Sequence, residues 1–161
     1  MGGINFFDSD DKKKIILNRL LQAQEKFGFL LFAYSIISNH YHYLIQLQKN
    51  TSLGEVEKII AGGSSYDLNK ELRIKQRVWD NYCERIVEEN FSMEKVWGYI
   101  LGNLLKHNEA KNFDDLSNSL FCSYKQAVKN YGKEVIDDLI LSVGALELES
   151  KNNYECFFKA G

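Results

Sequence analysis

Residues 29–48 constrain the fold of this chain more than any other stretch. Residues 29–38 are rich in aromatic and β-branched side chains and read as a buried strand. Residues 40–48 alternate with a clean two-residue period, the pattern of a second strand. A tight turn at Ser38-Asn39 joins the two. On both sides of this pair the hydrophobic period changes from two residues to three and four. Upstream, Ile15, Ile16, Leu20, Leu21 and Phe27 fall on one side of a helix over residues 12–27, led in by Asp8, Asp10 and Asp11 and ended by Gly28. Downstream, Thr51 or Ser52 can cap a helix over residues 53–61. Gly62-Gly63-Ser64-Ser65 is expected to interrupt it, with a second helical piece at residues 66–72. Residues 78–87 read as a third strand, and Ser92 caps a helix over Met93–Lys106. After a loop come helices near residues 123–131 and 133–146, and residues 147–161 read as a frayed or weakly docked end. The order predicts an α+β fold: a βαββαβ ferredoxin-like unit whose first strand is missing or reduced to residues 3–7, followed by C-terminal helices. The expected division is residues 1–108 and a helical extension, 109–161, packed on them.

Composition excludes several classes. The longest apolar stretch, near residues 29–37, is interrupted by Tyr and Ser and is too short to span a bilayer. No signal peptide is read at the start, where Gly-Gly-Ile-Asn-Phe-Phe runs into acidic residues. Cys83, Cys122 and Cys156 are odd in number and far apart, so neither a zinc knuckle nor a disulfide framework is indicated, and a cytoplasmic setting is expected. The formal net charge is −2, which does not advertise a nucleic-acid binder. Residues 1–108 carry 14 Lys+Arg against 13 Asp+Glu, so any site for DNA must be a local patch.

Two of the three histidines form His40-Tyr41-His42. Residues two apart on a strand point to the same face. The two imidazoles, roughly 7 Å apart along the pleat, can therefore converge on one divalent cation. Such a pair on an arbitrary strand is more often half-exposed and without a ligand. On the helix over Met93–Lys106, Tyr99 and Asn103 are four apart and lie along one edge of an apolar stripe. Alone, they would pass for boundary residues. Arg73, Lys75 and Arg77 alternate and could track phosphates from one face of an extended segment. Ser64 and Ser65 could donate to a nucleic-acid backbone, and Trp79 could stack on a base, although a strand tryptophan is more often core. His107 reads as a helix C-terminal residue, favourable against the dipole, more than as a ligand.

Taken together these segments resemble the HUH single-tyrosine transposases, and within them the REP-associated tyrosine transposases of the IS200-like group. Asn39-His40-Tyr41-His42-Tyr43-Leu44 looks like the family's Asn-His-x-His-x-Leu strand. Gly62-Gly63-Ser64-Ser65 looks like its Gly/Ser-rich segment, and Val78-Trp79-Asp80-Asn81-Tyr82 like its Val-Trp strand. Tyr99-Ile100-Leu101-Gly102-Asn103 looks like its catalytic helix, which Lys106-His107 continues. The likeness extends from about residue 6 to about residue 142. It implies metal-dependent cleavage and rejoining of single-stranded or hairpin DNA through a 5′-phosphotyrosine on Tyr99. It also implies Mg²⁺ or Mn²⁺ held by His40, His42 and Asn103.

The chain departs from that pattern in three ways. The family's first strand would lie before residue 6, so the edge beside the His-x-His strand is expected to be unpaired, filled by residues 2–7 or by a second copy exchanging a strand. The family's Asn-Pro is Asn103-Leu104 here and its following Gly is Asn108, so the helix is expected to run on another turn. The surface is also less basic than the activity suggests. Two other classes therefore stand beside the transposase: a hairpin-binding protein without turnover, and an unrelated metal hydrolase drawing on acids such as Glu84 and Glu88.

Overall fold

The computed structural model describes residues 5–80, 87 and 93–149, with side chains through Gly144. Its order is α1 (Asp10–Phe27), β1 (Leu30–Ile36), β2 (Tyr41–Gln46), α2 (Leu53–Glu57), a π-helical stretch (Lys58–Gly62), α3 (Gly63–Leu72), α4 (Met93–Lys106), α5 (Phe113–Asn118), α6 (Tyr124–Tyr131) and α7 (Lys133–Glu149). The α+β class expected from the sequence is what the chain adopts. The described residues hold a two-stranded antiparallel sheet with helices packed around it.

β1 and β2 pair with Ile36 opposite Tyr41 and Ser35 opposite His42, closed by Ile37 N–H donating to the His40 carbonyl at 2.9 Å. The register slips between Leu31 and Ala33, so Phe32 is an extra residue on β1. This hairpin fixes what each face carries. α4 packs across the side of the sheet that bears Ser35 and His42. On the other side Tyr41 is buried against the indole of Trp79, which stacks on Phe7 at 5.0 Å between ring centroids. There the Tyr41 hydroxyl donates to Glu57 at 2.7 Å, and the Tyr43 hydroxyl donates to its other oxygen. Burial pushes the Glu57 carboxyl up, against the pull of the two phenols.

Four expectations are corrected. The Gly62-Gly63 pair does not interrupt a helix: α2, the π-helical stretch and α3 follow one another without a gap. The reason lies at Gly63, where a Cβ would stand 2.8 Å from Arg19 Cδ. The glycine lets the Arg19 guanidinium cross to Asp67, which it grips with two hydrogen bonds of 2.7 Å. Residues 6 and 7 form a turn, not a strand, although Phe7 N–H does reach the Ser38 carbonyl at 3.0 Å. α4 stops at Lys106 and does not run on. Asn108 takes the left-handed conformation (φ 57°) that a glycine would otherwise supply, and Glu109 N–H and Ala110 N–H both return to the Leu104 carbonyl. α5 lies where only a loop was expected. Its N-cap is Asn112, whose side chain accepts from Asp115 N–H at 2.9 Å. The expected strand at 78–87 and the acids Glu84 and Glu88 lie largely or wholly outside the described residues.

The segment before α6 also reaches the sheet. Ile36 N–H donates to the Phe121 carbonyl at 2.8 Å and Ser123 N–H to the Tyr34 carbonyl at 3.1 Å, so the outer edge of β1 is partly paired. α7 lies along α4, and the approach is close because of Gly98 and Gly102. A Cβ on Gly98 would stand 2.8 Å from the Leu139 carbonyl oxygen, and one on Gly102 would stand 2.7 Å from Ile140. Among the described residues, no helix is long and apolar enough to cross a membrane.

Candidate active site

The site lies between the hairpin and α4. The turn at residues 38–39 is pinned by Glu109, whose carboxylate accepts from Ser38 N–H at 2.7 Å and from the Ser38 hydroxyl, and pairs with Lys13 of α1. Burial alone would raise the Glu109 carboxyl, but Lys13 and Ser38 hold it below its ordinary value. Just beyond this turn stands His40, buried, its Nδ1 2.7 Å from Asn39 Oδ1. An amide oxygen can only accept, so Nδ1 carries the proton and Nε2 presents its lone pair to the cleft. A second-shell carbonyl of this kind commonly orients a metal-bound imidazole.

His42 follows on the same face, its ring centroid 5.0 Å from that of His40. Its pKa lies well below the ordinary value, first because of burial and then because His40, His107 and Lys106 are also potential cations. His42 is therefore neutral near pH 7, the form in which an imidazole binds metal.

α4 supplies the facing groups. Asn103 is fully buried, on the helix face that also carries Ile100, Leu101 and Leu104. Its Nδ2 donates to the Ser35 hydroxyl at 3.2 Å and lies 3.5 Å from His40 Nε2. Its Oδ1 is buried and accepts no hydrogen bond among the described residues. An uncompensated buried carbonyl is costly and calls for a partner such as a cation. One turn earlier stands Tyr99, half-buried, its ring 5.4 Å from that of His42. Lys106 Nζ sits 3.4 Å from the Tyr99 hydroxyl and 4.6 Å from the ring centroid.

The structure thus brings together four residues that the sequence singled out separately: His40, His42, Tyr99 and Asn103. It adds four more. Ser35 orients Asn103, Asn39 orients His40, and Lys106 faces the phenol. His107, set aside as a helix-end residue, has its ring centroid 4.6 Å from that of His40, so all three histidines meet here. Among the described residues no group of three or more His, Cys, Asp or Glu side chains is arranged to hold a metal. Two neutral imidazoles and an unsatisfied amide oxygen nevertheless match the nitrogen-and-oxygen chemistry of an open divalent site.

The expected DNA contacts fare differently. Ser64 is fully buried. Its hydroxyl donates to the Ala61 carbonyl at 3.2 Å and accepts from the Trp79 indole at 3.0 Å. Both side chains are thus engaged inside the fold, on the sheet face away from the histidines. Ser65 is half-buried on α3. Arg73, Lys75 and Arg77 are all exposed, but Arg73 is left-handed (φ 55°), ending α3, so the three do not share one extended face. Arg77 folds back on the carbonyls of Trp79 and Asp80.

A histidine pair on a strand, with a tyrosine and an amide on a facing helix, describes a phosphoryl-transfer site that uses a tyrosine. The family model described as transposase IS200 like matches residues 5–103, which takes in all four of these residues. The chain belongs to the IS200-like transposase family, and so to proteins of DNA transposition. No curated protein and no solved structure matches the chain.

Proposed function

We propose that this chain cleaves and rejoins single-stranded or hairpin DNA, with Tyr99 as nucleophile, in the manner of the REP-associated branch of its family. The observation that carries the reading is the phenol of Tyr99 packed against His42, beside His40 and the unsatisfied Asn103 oxygen. Residues 1–108 hold these groups, and residues 109–161 act as an extension docked on them.

The phenol oxygen attacks phosphorus and forms a new P–O bond. The bond from phosphorus to the 3′-oxygen breaks. The products are a 5′-phosphotyrosine and a 3′-hydroxyl, and the phenol proton balances the departing oxygen. Attack by a 3′-hydroxyl reverses the step, so joining needs no further energy source. The Lys106 ammonium stabilises the negative charge on the nucleophile. His40, His42 and Asn103 would hold Mg²⁺ or Mn²⁺, which would polarise the scissile phosphate. Ser35 and Asn39 keep the protein ligands oriented. Arg73 and Lys75 are exposed near the end of α3 and are the proposed backbone contacts.

The test is a covalent adduct on a hairpin oligonucleotide in Mn²⁺, read on a denaturing gel. Wild type forms it, EDTA suppresses it, and Tyr99→Phe forms none. If neither protein forms it while both bind the oligonucleotide equally, the chain is a binding protein without turnover. If Tyr99→Phe still forms it, the nucleophile lies elsewhere.

A further inference from the structure

We propose that the C-terminal extension builds a second contact for single-stranded nucleic acid, in a groove separate from the histidine site. The proposal rests on the reading of this chain as a DNA-handling protein.

The groove has a volume of about 710 Å³ and is walled by α1, β1, the start of α4, residues 119–123 and α6. Half of its lining therefore comes from residues outside the family match of 5–103. Its size suits one or two nucleotides. Three aromatic side chains line it. Phe32 is the extra residue of the β1 irregularity, which leaves its ring exposed. Tyr131, at the end of α6, is 57% exposed and meets Trp97 edge to face at 4.8 Å. The buried indole N–H of Trp97 has no acceptor among the described residues.

Charge decides the occupant. Lys125 and Lys129 are the charged residues of the lining, and both are exposed on α6. Neither forms an ion pair among the described residues, whereas Lys12, Lys13, Lys14 and Lys133 all do. Being four apart, they stand about 6 Å from each other along one helix face. Two such cations on a chain of net charge −2 form a local positive patch. Gln126 and Asn130 of the same helix line the groove and offer amide groups to base edges. Exposed aromatic faces flanked by lysines are the ordinary means of holding single strands, bases stacking and phosphates pairing. An acidic peptide would use the lysines but leave the flat rings without stacking partners.

The experiment is fluorescence anisotropy with a labelled oligo-dT 20-mer, titrated at several salt concentrations. It compares wild type, Lys125→Glu/Lys129→Glu, Tyr131→Ala and Tyr99→Phe. These groove positions are exposed, and circular dichroism checks each fold. The double lysine variant is expected to bind at least fivefold more weakly. Its log–log salt dependence should be shallower by about one to one and a half, as for two lost phosphate contacts at ~0.7 each. Tyr131→Ala should lose affinity without changing that slope, and Tyr99→Phe should bind as wild type. At saturating hairpin oligonucleotide the lysine variant should still form the Tyr99 adduct. If both groove variants bind like wild type, the proposal is overturned and the groove falls to a protein segment. In that case an adduct on Tyr99 would leave the catalytic reading standing. If wild type itself fails to bind, both readings fall.

Discussion

At Tyr99 the phenol has two neighbours of opposite consequence. His42, buried and held neutral, lends its ring edge and no charge. Lys106 brings a cation to 3.4 Å from the hydroxyl. A phenol has a reference pKa near 10 and is a weak nucleophile near neutrality, so a cation at this distance matters most as the proton leaves. Lys106→Met keeps the length of the side chain and removes the charge. It should slow adduct formation roughly tenfold to a hundredfold, within the range for loss of one charge-stabilising donor. Hairpin binding, measured separately by anisotropy, should change less than threefold. Single-turnover rates at pH 7 to 10 sharpen the test, since the deficit should shrink as hydroxide takes over deprotonation. Equal rates across that range would remove Lys106 from the chemistry. Much at this scale was legible beforehand. The His40/His42 alternation and the Tyr99/Asn103 spacing named all four principal side chains. A two-residue turn at Ser38-Asn39 already implies that Ser35 lies opposite His42, so Ser35 could have been found by counting back from the turn. Lys106 and His107 were harder. Their places depend on where α4 ends, and Asn108 ends it by a backbone conformation that the residue type only permits.

At the scale of elements, the seating of α4 is set by glycine. Gly98 and Gly102 face α7, and a side chain at either would collide with it. The tighter constraint is Gly98, because its neighbour is a backbone oxygen, which cannot rotate away. Gly98→Ala should therefore destabilise by about 1–3 kcal/mol through overpacking, despite alanine's better helix propensity. Urea melts should show the loss as a lower midpoint at unchanged slope. A neutral or stabilising outcome would mean that α7 is not held against α4 in solution. Helices and strands with strong periodicity were readable from sequence, and α4 was read with its observed ends. Where an element was misjudged, a contact distant in sequence decided the matter. Gly62-Gly63 looks like a break until Arg19 is seen to need the space over Gly63 on its way to Asp67. α5 is six residues long, too short for periodicity to announce it.

Across the whole molecule, one carboxylate ties three distant pieces together. Glu109 follows α4, pairs with Lys13 on α1 and accepts from Ser38 at the hairpin turn. It joins the first helix, the turn that presents His40 and the exit of the helix that carries Tyr99. Because its folded pKa is below the unfolded value, its contribution is present above that value, near 4.5, and is lost as pH falls through the lower folded value. Glu57 has the opposite sign. Its folded pKa is raised, so its ionisation weakens the fold as pH rises through the raised value. The two carboxyls therefore tilt the stability curve in opposite directions in adjoining ranges of pH, Glu109 at the acid end and Glu57 above it. Glu109→Gln keeps the side chain's shape and an acceptor but removes the charge. At pH 7 it should cost about 1–3 kcal/mol, the scale of a partly buried charge-assisted hydrogen bond. At pH 3 the wild-type carboxyl approaches protonation, and the gap between the two proteins should narrow. Urea midpoints measured from pH 3 to 8 check this directly. A gap that stays constant over the whole range would show that the ionised form of Glu109 adds nothing to the fold. A gap that widens toward acid would reverse the sign assigned to it.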